Sequence, residues 1–189
     1  MESLAAKVEP FIEAVRRGEV EIYNEFSLQH ELGIFLRGVM PGWKIQFERN
    51  VGHFFSDRSS FTKREIDIVG FSDSDHELGF AFELKYPRNG QHPEQMYSFC
   101  KDIAFLEELV DAGFRRAAFL VFAEDHRYYR GSADGIYGHF RNSRPLHGII
   151  NKPTGSQGGH VEVRGTYTVE WVPVAVDFRY ALVELNNGS

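Results

Sequence analysis

Three charged residues lie inside segments that otherwise have the apolar composition of buried strands. They are Asp67 in "EIDIVGF" and Glu83 and Lys85 in "LGFAFELKY". Because alternate residues of a strand share one face, Glu83 and Lys85 are predicted to point the same way, opposite to Phe82 and Leu84. If the two strands pair, Asp67 lies on that face as well. We therefore expect two carboxylates and an amine to converge.

The chemistry predicted for this trio follows from the repulsion between its two carboxylates. One of them keeps its proton unless a cation joins the pair. Carboxylate oxygens suit Mg²⁺ or Mn²⁺, which also retain several waters. Such an ion polarises a phosphoryl oxygen, lowers the pKa of a bound water and offsets charge on the leaving oxygen. Lys85 is then placed to orient the attacking water or to stabilise the charged transition state.

Two long helices and several strands are predicted to position the trio. The first long helix has an apolar stripe formed by Leu28, Leu32, Phe35, Leu36 and Val39. Asn24 or Ser27 caps this helix, and "PG" at 41–42 ends it. The second has a stripe formed by Met96, Phe99, Cys100, Ile103, Leu106 and Val110, and Gly113 terminates it. A shorter helix, with Pro10 near its first turn, precedes both.

The strand patterns predict a single domain spanning residues 1–189. "WKIQFERNV" precedes the two strands of the trio, which the turn "SDSDHE" joins, and the apolar "RAAFLVFAED" is expected to be a buried strand. Residues 126–160 are the least regular part, and the glycines of "NKPTGSQGGH" are typical of turns. Antiparallel strands are expected at about 160–186 as a C-terminal extension.

Asp67, Glu83 and Lys85 within this order of elements resemble the PD-(D/E)XK nuclease superfamily, whose members have an Asp on the second strand and Glu-x-Lys on the third. The resemblance covers about residues 24–123. It implies an α/β fold with a mixed central sheet flanked by helices, a restriction-endonuclease-like αβββαβ core. It also implies that Asp67, Glu83 and the backbone carbonyl of Leu84 bind Mg²⁺ or Mn²⁺, that Lys85 is catalytic, and that the substrate is DNA.

The chain departs from the family pattern at three places. Ile66 precedes Asp67 where the family name has proline. Members often add an acid from the first helix, for which Glu25 and Glu31 compete; at about 100° per residue Glu31 lies at the rim of the apolar stripe and is preferred. Glu25 is alternatively a first-turn charge favoured by the helix dipole. Some members carry Gln-x-x-x-Tyr on the second helix, and Gln95 in "QMYSF" matches it in part.

Basic residues near and beyond the core are candidates for phosphate contacts. They are Arg88, Arg127, Arg130, Arg141 and Arg144. Residues 126–164 contain six basic and two acidic residues, although the whole chain has a net charge of −6. The alternative is a solvated loop region. RNA is the second candidate substrate, and cutting of a duplex favours a homodimer.

Composition excludes several other classes of protein. A single cysteine excludes an internal disulfide and indicates a reducing cytoplasm, and its place on the apolar stripe favours a packed thiol. No apolar run approaches the roughly 20 residues that span a bilayer. The histidines have no zinc-site spacing. Two non-enzymatic alternatives remain: a binding or assembly module that keeps the trio as a structural ion network, and an interaction protein without a nucleic-acid role.

Overall fold

The structure is a computed structural model that describes residues 3–72, 77–88, 90–154 and 159–186. Its helices are α1 (Leu4–Arg16), α2 (Glu25–Val39), α3 (His92–Asp111) and α4 (Tyr137–Arg141). Its strands are β1 (Lys44–Asn50), β2 (Glu65–Phe71), β3 (Leu78–Lys85), β4 (Arg116–Ala123), β5 (Leu146–Asn151), β6 (His160–Tyr167), β7 (Val172–Ala175) and β8 (Phe178–Asn186). The turn predictions at 73–76 and 155–158 lie outside the described residues.

A mixed six-stranded sheet has the order β1-β2-β3-β4-β8-β7. β3 and β4 run parallel, whereas the other neighbouring pairs are antiparallel. Parallel strands need a long crossover, which α3 supplies between β3 and β4. The predicted α/β fold with a mixed sheet and flanking helices is therefore confirmed.

Apolar side chains cover the sheet on both faces, which explains why its central strands are almost uniformly apolar. On one face, α3 packs through Phe99 and Ile103 against β-strand residues such as Phe119. On the other face, α1 and α2 pack against alternate strand residues that include Phe82 and Leu120. The predicted alternation in β3 is thus confirmed, and Glu83 follows Ala81 on the α3 face.

The helices agree with most of their predicted features. Asn24 caps α2 by accepting from the backbone N–H of Ser27, whose hydroxyl in turn accepts from the backbone N–H of Asn24. Pro10 lies inside α1 instead of near its first turn, because the helix already begins at Leu4 with Ser3 as its cap. Val39 is exposed, not part of the buried stripe. None of the helices in the described ranges is long and apolar enough to cross a membrane.

The predicted C-terminal antiparallel strands are confirmed, and two of them belong to the main sheet instead of extending from it. β8 pairs antiparallel with β4 and, with β7, completes the main sheet. β6 instead pairs with β5 in a two-stranded sheet, so the segment predicted to be irregular contains both a strand and α4. Glu107 of α3 holds this small sheet by accepting from the backbone N–H groups of Arg164 and Gly165.

The thiol of Cys100 is part of the α3 packing. Its side chain is fully buried, and its Sγ donates to the carbonyl of Met96 at 3.2 Å. Burial raises the pKa of Cys100 to about 12, so the thiol stays protonated at neutral pH. The prediction of a packed thiol is confirmed.

Candidate active site

Strand register brings three carboxylates into one row across β1, β2 and β3. Ile68 pairs with Phe82, and one step further along this register Asp67 lies opposite Glu83. The Oδ2 atom of Asp67 accepts from the backbone N–H of Leu84 at 2.7 Å, which fixes the carboxylate against β3. On the other side of β2, the β1 register places Glu48 opposite Asp67. The predicted convergence of Asp67, Glu83 and Lys85 rests on this register.

Two lysines and a buried aspartate extend the row into a network of alternating charge. The Nζ of Lys63 contacts Glu83 Oε2 and lies 2.8 Å from Asp102 Oδ1. The Nζ of Lys85 lies 3.4 Å from Asp102 Oδ2, and it donates to the carbonyl of Leu84 at 2.9 Å. Asp102, from α3, therefore bridges the two ammonium groups.

Burial dominates the electrostatics of the carboxylates in this network. Glu83 has no exposed surface. Loss of solvation raises the pKa of Glu83 well above its ordinary value, and the charge of Asp67 raises it further. Loss of solvation also raises the pKa of Asp67 to about 6, against a smaller opposing effect of Lys85. Burial alone lowers the pKa of Lys85, but the charges of Asp102 and Glu25 raise it above its ordinary value.

Two carboxylate oxygens of the network lack a hydrogen-bond partner among the described residues, and one of them, Asp102 Oδ2, still lies within ion-pair distance of Lys85 Nζ. Glu83 Oε2 contacts Lys63, whereas Glu83 Oε1 is buried and has no hydrogen-bond partner among the described residues. A buried, unpaired carboxylate oxygen is costly, and such groups in a native fold often mark a place for an ion or a water. The open acceptor of Glu83 lies on the strand face that Asp67 and Lys85 share.

Two clefts give access to this cluster. One, of about 440 Å³, is lined by Glu25, Phe26, Gln29, Glu48, Asp67 and Leu84. A second, of about 590 Å³, is lined by Asn24, Glu25, Phe26, Tyr86, Pro87, Arg88 and Gln95. Glu25 borders both, and its Oε1 lies 3.8 Å from Lys85 Nζ. Gln95 and Arg88 therefore border a cleft that Glu25 also lines, and their roles towards a substrate stay predictions.

Of the two competing helix acids, Glu25 is the one that lies close to Lys85. Glu25 reaches Lys85, whereas Glu31 lines a neighbouring cleft and makes no ion pair with the described residues of the cluster. Glu25 is the first residue of α2, and this end of the helix lies beside Lys85 at the end of β3. A role for Glu31 in catalysis remains a prediction.

The arginines predicted to contact phosphate are not gathered at the cluster. Arg127 is paired with Asp125. Arg141 and Arg144 donate to backbone carbonyls of the loop before α4. Arg130 lies over the ring of Tyr129. Only Arg88 of this predicted set borders a cleft described above, and it is exposed.

Three members of the cluster were not predicted from the sequence. Glu48 and Lys63 come from β1 and from the loop before β2, where no pattern marks them. Asp102 carried a detectable signal, because it follows Phe99 by three residues and precedes Leu106 by four on the apolar stripe of α3. A carboxylate in that place is either paired or functional.

Two carboxylates and a backbone carbonyl are the donors available for an ion. Among the described residues, no group of three or more His, Cys, Asp or Glu side chains is arranged to hold a metal ion. Mg²⁺ does not require three, since it keeps several waters and commonly takes one or two carboxylates. The carboxylates of Asp67 and Glu83 fit that donor set, and Oε1 of Glu83 is the oxygen without a hydrogen-bond partner.

Comparison with family models, with curated proteins and with solved structures finds no match to this chain. The geometry of the cluster and the chemistry of its residues are therefore what a functional assignment depends on.

The raised pKa of Asp67 predicts an unusual dependence of stability on pH. The ordinary value of 3.8 applies in the unfolded chain, against about 6 in the folded protein. Between these values the folded protein holds a proton that the unfolded chain releases, so stability falls as the pH rises. In EDTA we expect wild type to lose about 2 kcal/mol of unfolding free energy between pH 4 and pH 7 from this group. Glu83 contributes with the same sign.

Urea unfolding of Asp67→Asn in EDTA at pH 5 and pH 8 checks this expectation. The variant keeps an acceptor for the Leu84 N–H but cannot ionise, so it is expected to be more stable than wild type at pH 8. Asp57→Asn is the control, because hydrogen bonds from Ser59 lower the pKa of Asp57 and it stays ionised throughout this range. Equal pH slopes for wild type and Asp67→Asn contradict the expectation.

Proposed function

We propose that the protein is a Mg²⁺-dependent nuclease that hydrolyses phosphodiester bonds in DNA. The observation that carries the proposal is the unpaired, fully buried Oε1 of Glu83, which lies beside Asp67 in a cluster that also contains Lys85. A divalent cation supplies the charge that two desolvated carboxylates lack, and when bound it lowers the pKa of a coordinated water and polarises the phosphoryl oxygen.

The residues of the chain have separate roles in this proposal. Asp67 and Glu83 hold the ion, and the carbonyl of Leu84, which accepts from Lys85 at 2.9 Å, is the third donor offered to it. Lys85 stays protonated at neutral pH, since Asp102 and Glu25 raise its pKa, and it offers its ammonium group to the phosphate or to the attacking water. Glu25 and Glu48 border the cleft through which the substrate enters.

The order of the elements supports the resemblance to PD-(D/E)XK nucleases. From α2 to β4 the chain runs helix, three strands, helix, strand, which is the αβββαβ order that the resemblance implies. The acid and the Glu-x-Lys segment occupy the second and third of those strands. Membership of that superfamily is part of the proposal, and so is DNA as the substrate in preference to RNA.

A second function is favoured by the ammonium of Lys63. It contacts Glu83 and Asp102 and already supplies a positive charge to the buried carboxylates. In that case the cluster is a structural ion network, and the fold serves as a non-catalytic binding or assembly module. The two candidates differ in whether Glu83 Oε1 takes a metal ion.

Titration with Mn²⁺ distinguishes the two functions. Isothermal titration calorimetry is expected to give a saturable site in wild type that Glu83→Gln and Asp67→Asn remove. Lys63→Ala is expected to bind Mn²⁺ more tightly, because a competing cation is gone. The exposed Glu162→Gln serves as a control with unchanged binding.

A nuclease is also expected to cut at least one substrate in a Mn²⁺-supplemented screen of plasmid, linear, branched and single-stranded DNA and of RNA. Absence of Mn²⁺ binding by wild type, with Lys63→Ala merely less stable, supports the structural network and contradicts the nuclease.

A further inference from the structure

Two aromatic side chains are exposed on the surface next to the candidate active site. Tyr23 is 59% exposed and Phe26 is 78% exposed, and the other large apolar side chains exposed in the described ranges are aliphatic. A single exposed apolar side chain is ordinary. Two rings three residues apart that line the same cleft are a surface that water solvates poorly and that a flat, apolar group covers well.

The cleft between these rings has the size and lining of a small binding site. Its volume is about 420 Å³, within the range of small-molecule sites. Phe47 contributes a third ring, and its position is fixed because it packs directly over Gly33, where a Cβ atom would clash with the ring. His30 and Glu31 add polar groups to the lining.

The backbone that carries the two rings is rigid. The side chain of Asn24 and the hydroxyl of Ser27 exchange hydrogen bonds with each other's backbone N–H groups at the start of α2. The Ser27 hydroxyl also accepts from the backbone N–H of Tyr23 at 2.9 Å. Tyr23 and Phe26 are therefore held at fixed positions, and little backbone order has to be gained when something binds between them.

This aromatic cleft is continuous with the acidic cluster. Phe26 lines it and also lines the cleft that contains Asp67 and Leu84. The same ring borders the third cleft, where the exposed Arg88 lies. A chain that alternates flat apolar groups with anionic linkages matches this surface: one group lies against Phe26 while the neighbouring linkage reaches Arg88 or the carboxylate-bound cation.

We infer that Tyr23 and Phe26 form a stacking platform for an unpaired base of a nucleic acid whose adjacent phosphodiester is presented to Asp67 and Lys85. The inference rests on the proposed function for the role of that phosphodiester. The preferred substrates are then nucleic acids with unpaired bases, such as single strands, ends and branches, and continuous duplex is a poorer substrate. Inside a duplex both faces of each base are covered by neighbouring bases, so none is free to stack on a protein ring.

Binding to labelled oligonucleotides tests the platform without using cleavage as a readout. The full-length protein carrying Lys85→Ala is titrated, in Mg²⁺ and in EDTA, with a 12-nucleotide oligo-dT and with a blunt hairpin duplex. Phe26→Ala and Tyr23→Ala are each expected to weaken oligo-dT binding about 5- to 100-fold and to leave duplex binding nearly unchanged. Phe26→Trp is expected to retain or to tighten binding.

Two further variants decide between stacking and a general apolar contact. Phe26→Leu keeps apolar surface without a ring, so a stacking platform loses affinity in it as in Phe26→Ala. Val176→Ala removes a 92% exposed apolar side chain beyond β7, the strand at the sheet edge opposite β1, and is expected to change nothing.

Full oligo-dT affinity in Phe26→Leu overturns the inference, because an apolar side chain without a ring is then sufficient. Equal losses on oligo-dT and duplex overturn it as well. If wild type binds oligo-dT through Phe26 but cuts no substrate, the platform stands and the nuclease proposal fails. If wild type cuts duplex DNA and Phe26→Ala cuts it equally well, the nuclease proposal stands and the platform fails. Thermal unfolding confirms that each variant is folded.

Discussion

Lys85→Ala is expected to lower the rate of phosphodiester cleavage by about 100- to 1,000-fold, the usual cost of removing one preorganised electrostatic group from an active site. The side chain of Lys85 is only 15% exposed, and it lies on the same strand face as Glu83. In such surroundings its charge acts on a transition state with less screening than in water. Initial rates at saturating Mn²⁺ measure the loss.

Lys101→Ala is the matched control for this expectation. Lys101 lies on α3, is exposed, and contacts the ring of Tyr97 instead of the cluster. Its replacement is expected to leave the rate unchanged. Affinity for Mn²⁺ should persist in Lys85→Ala, because Lys85 is not a ligand of the ion. A cleavage rate in Lys85→Ala within about twofold of wild type contradicts the role given to Lys85.

Local periodicity was sufficient to predict the elements that hold the trio. β3 is covered on both faces, and its alternation of Phe82 and Leu84 with Glu83 and Lys85 assigns each residue to one face whatever its neighbours are. The stripe of α3 and the apolar run of β4 are likewise determined within the segment itself. Those predictions depend on short-range geometry, which is why they agree with the structure.

The partners of the trio depend on long-range geometry and were missed. Lys63 belongs to the segment that leads into β2, and nothing in its surroundings in the sequence distinguishes it from any exposed lysine. Glu48 adopts a positive φ of 47°, a left-handed conformation that is uncommon for a residue other than glycine. Gln29 donates to its carboxylate and to the backbone carbonyl of Asp67, so tertiary contacts hold Glu48 there. Pattern analysis of β1 alone could not have found this arrangement.

The two candidate helix acids, Glu25 and Glu31, illustrate the same difference between short-range and long-range geometry. An angle of about 100° per residue describes the middle of a helix and favoured Glu31. The first turn of α2 lies against the end of β3 instead, and there the start of the helix at Asn24 decides which side chain reaches Lys85. The contact with Lys85 thus depends on position along the helix axis, which angular position alone does not describe.

Asp102→Asn is expected to shift the whole pH–rate profile to lower pH. Burial is the main cause of the raised pKa of Asp67 and of Glu83, and the negative charge of Asp102 adds to both. The same charge is the first of the effects that raise the pKa of Lys85. A neutral amide at position 102 removes all three contributions, so the acidic and the alkaline limbs both move to lower pH. A purely structural defect lowers the rate without moving the two limbs together.

The same substitution is expected to reduce stability. It leaves the ammonium groups of Lys63 and Lys85 without the carboxylate that bridges them, which we expect to lower the free energy of unfolding by about 3 kcal/mol, the lower end for a broken buried pair because Lys63 keeps some exposure to water. Glu162→Gln, which removes the charge of an exposed carboxylate on β6, is the control for both measurements. Unchanged limbs in Asp102→Asn, in a variant shown by urea unfolding to be folded, contradict the bridging role, because a carboxylate 2.8 Å from one lysine and 3.4 Å from the other cannot be neutralised without lowering the pKa of both.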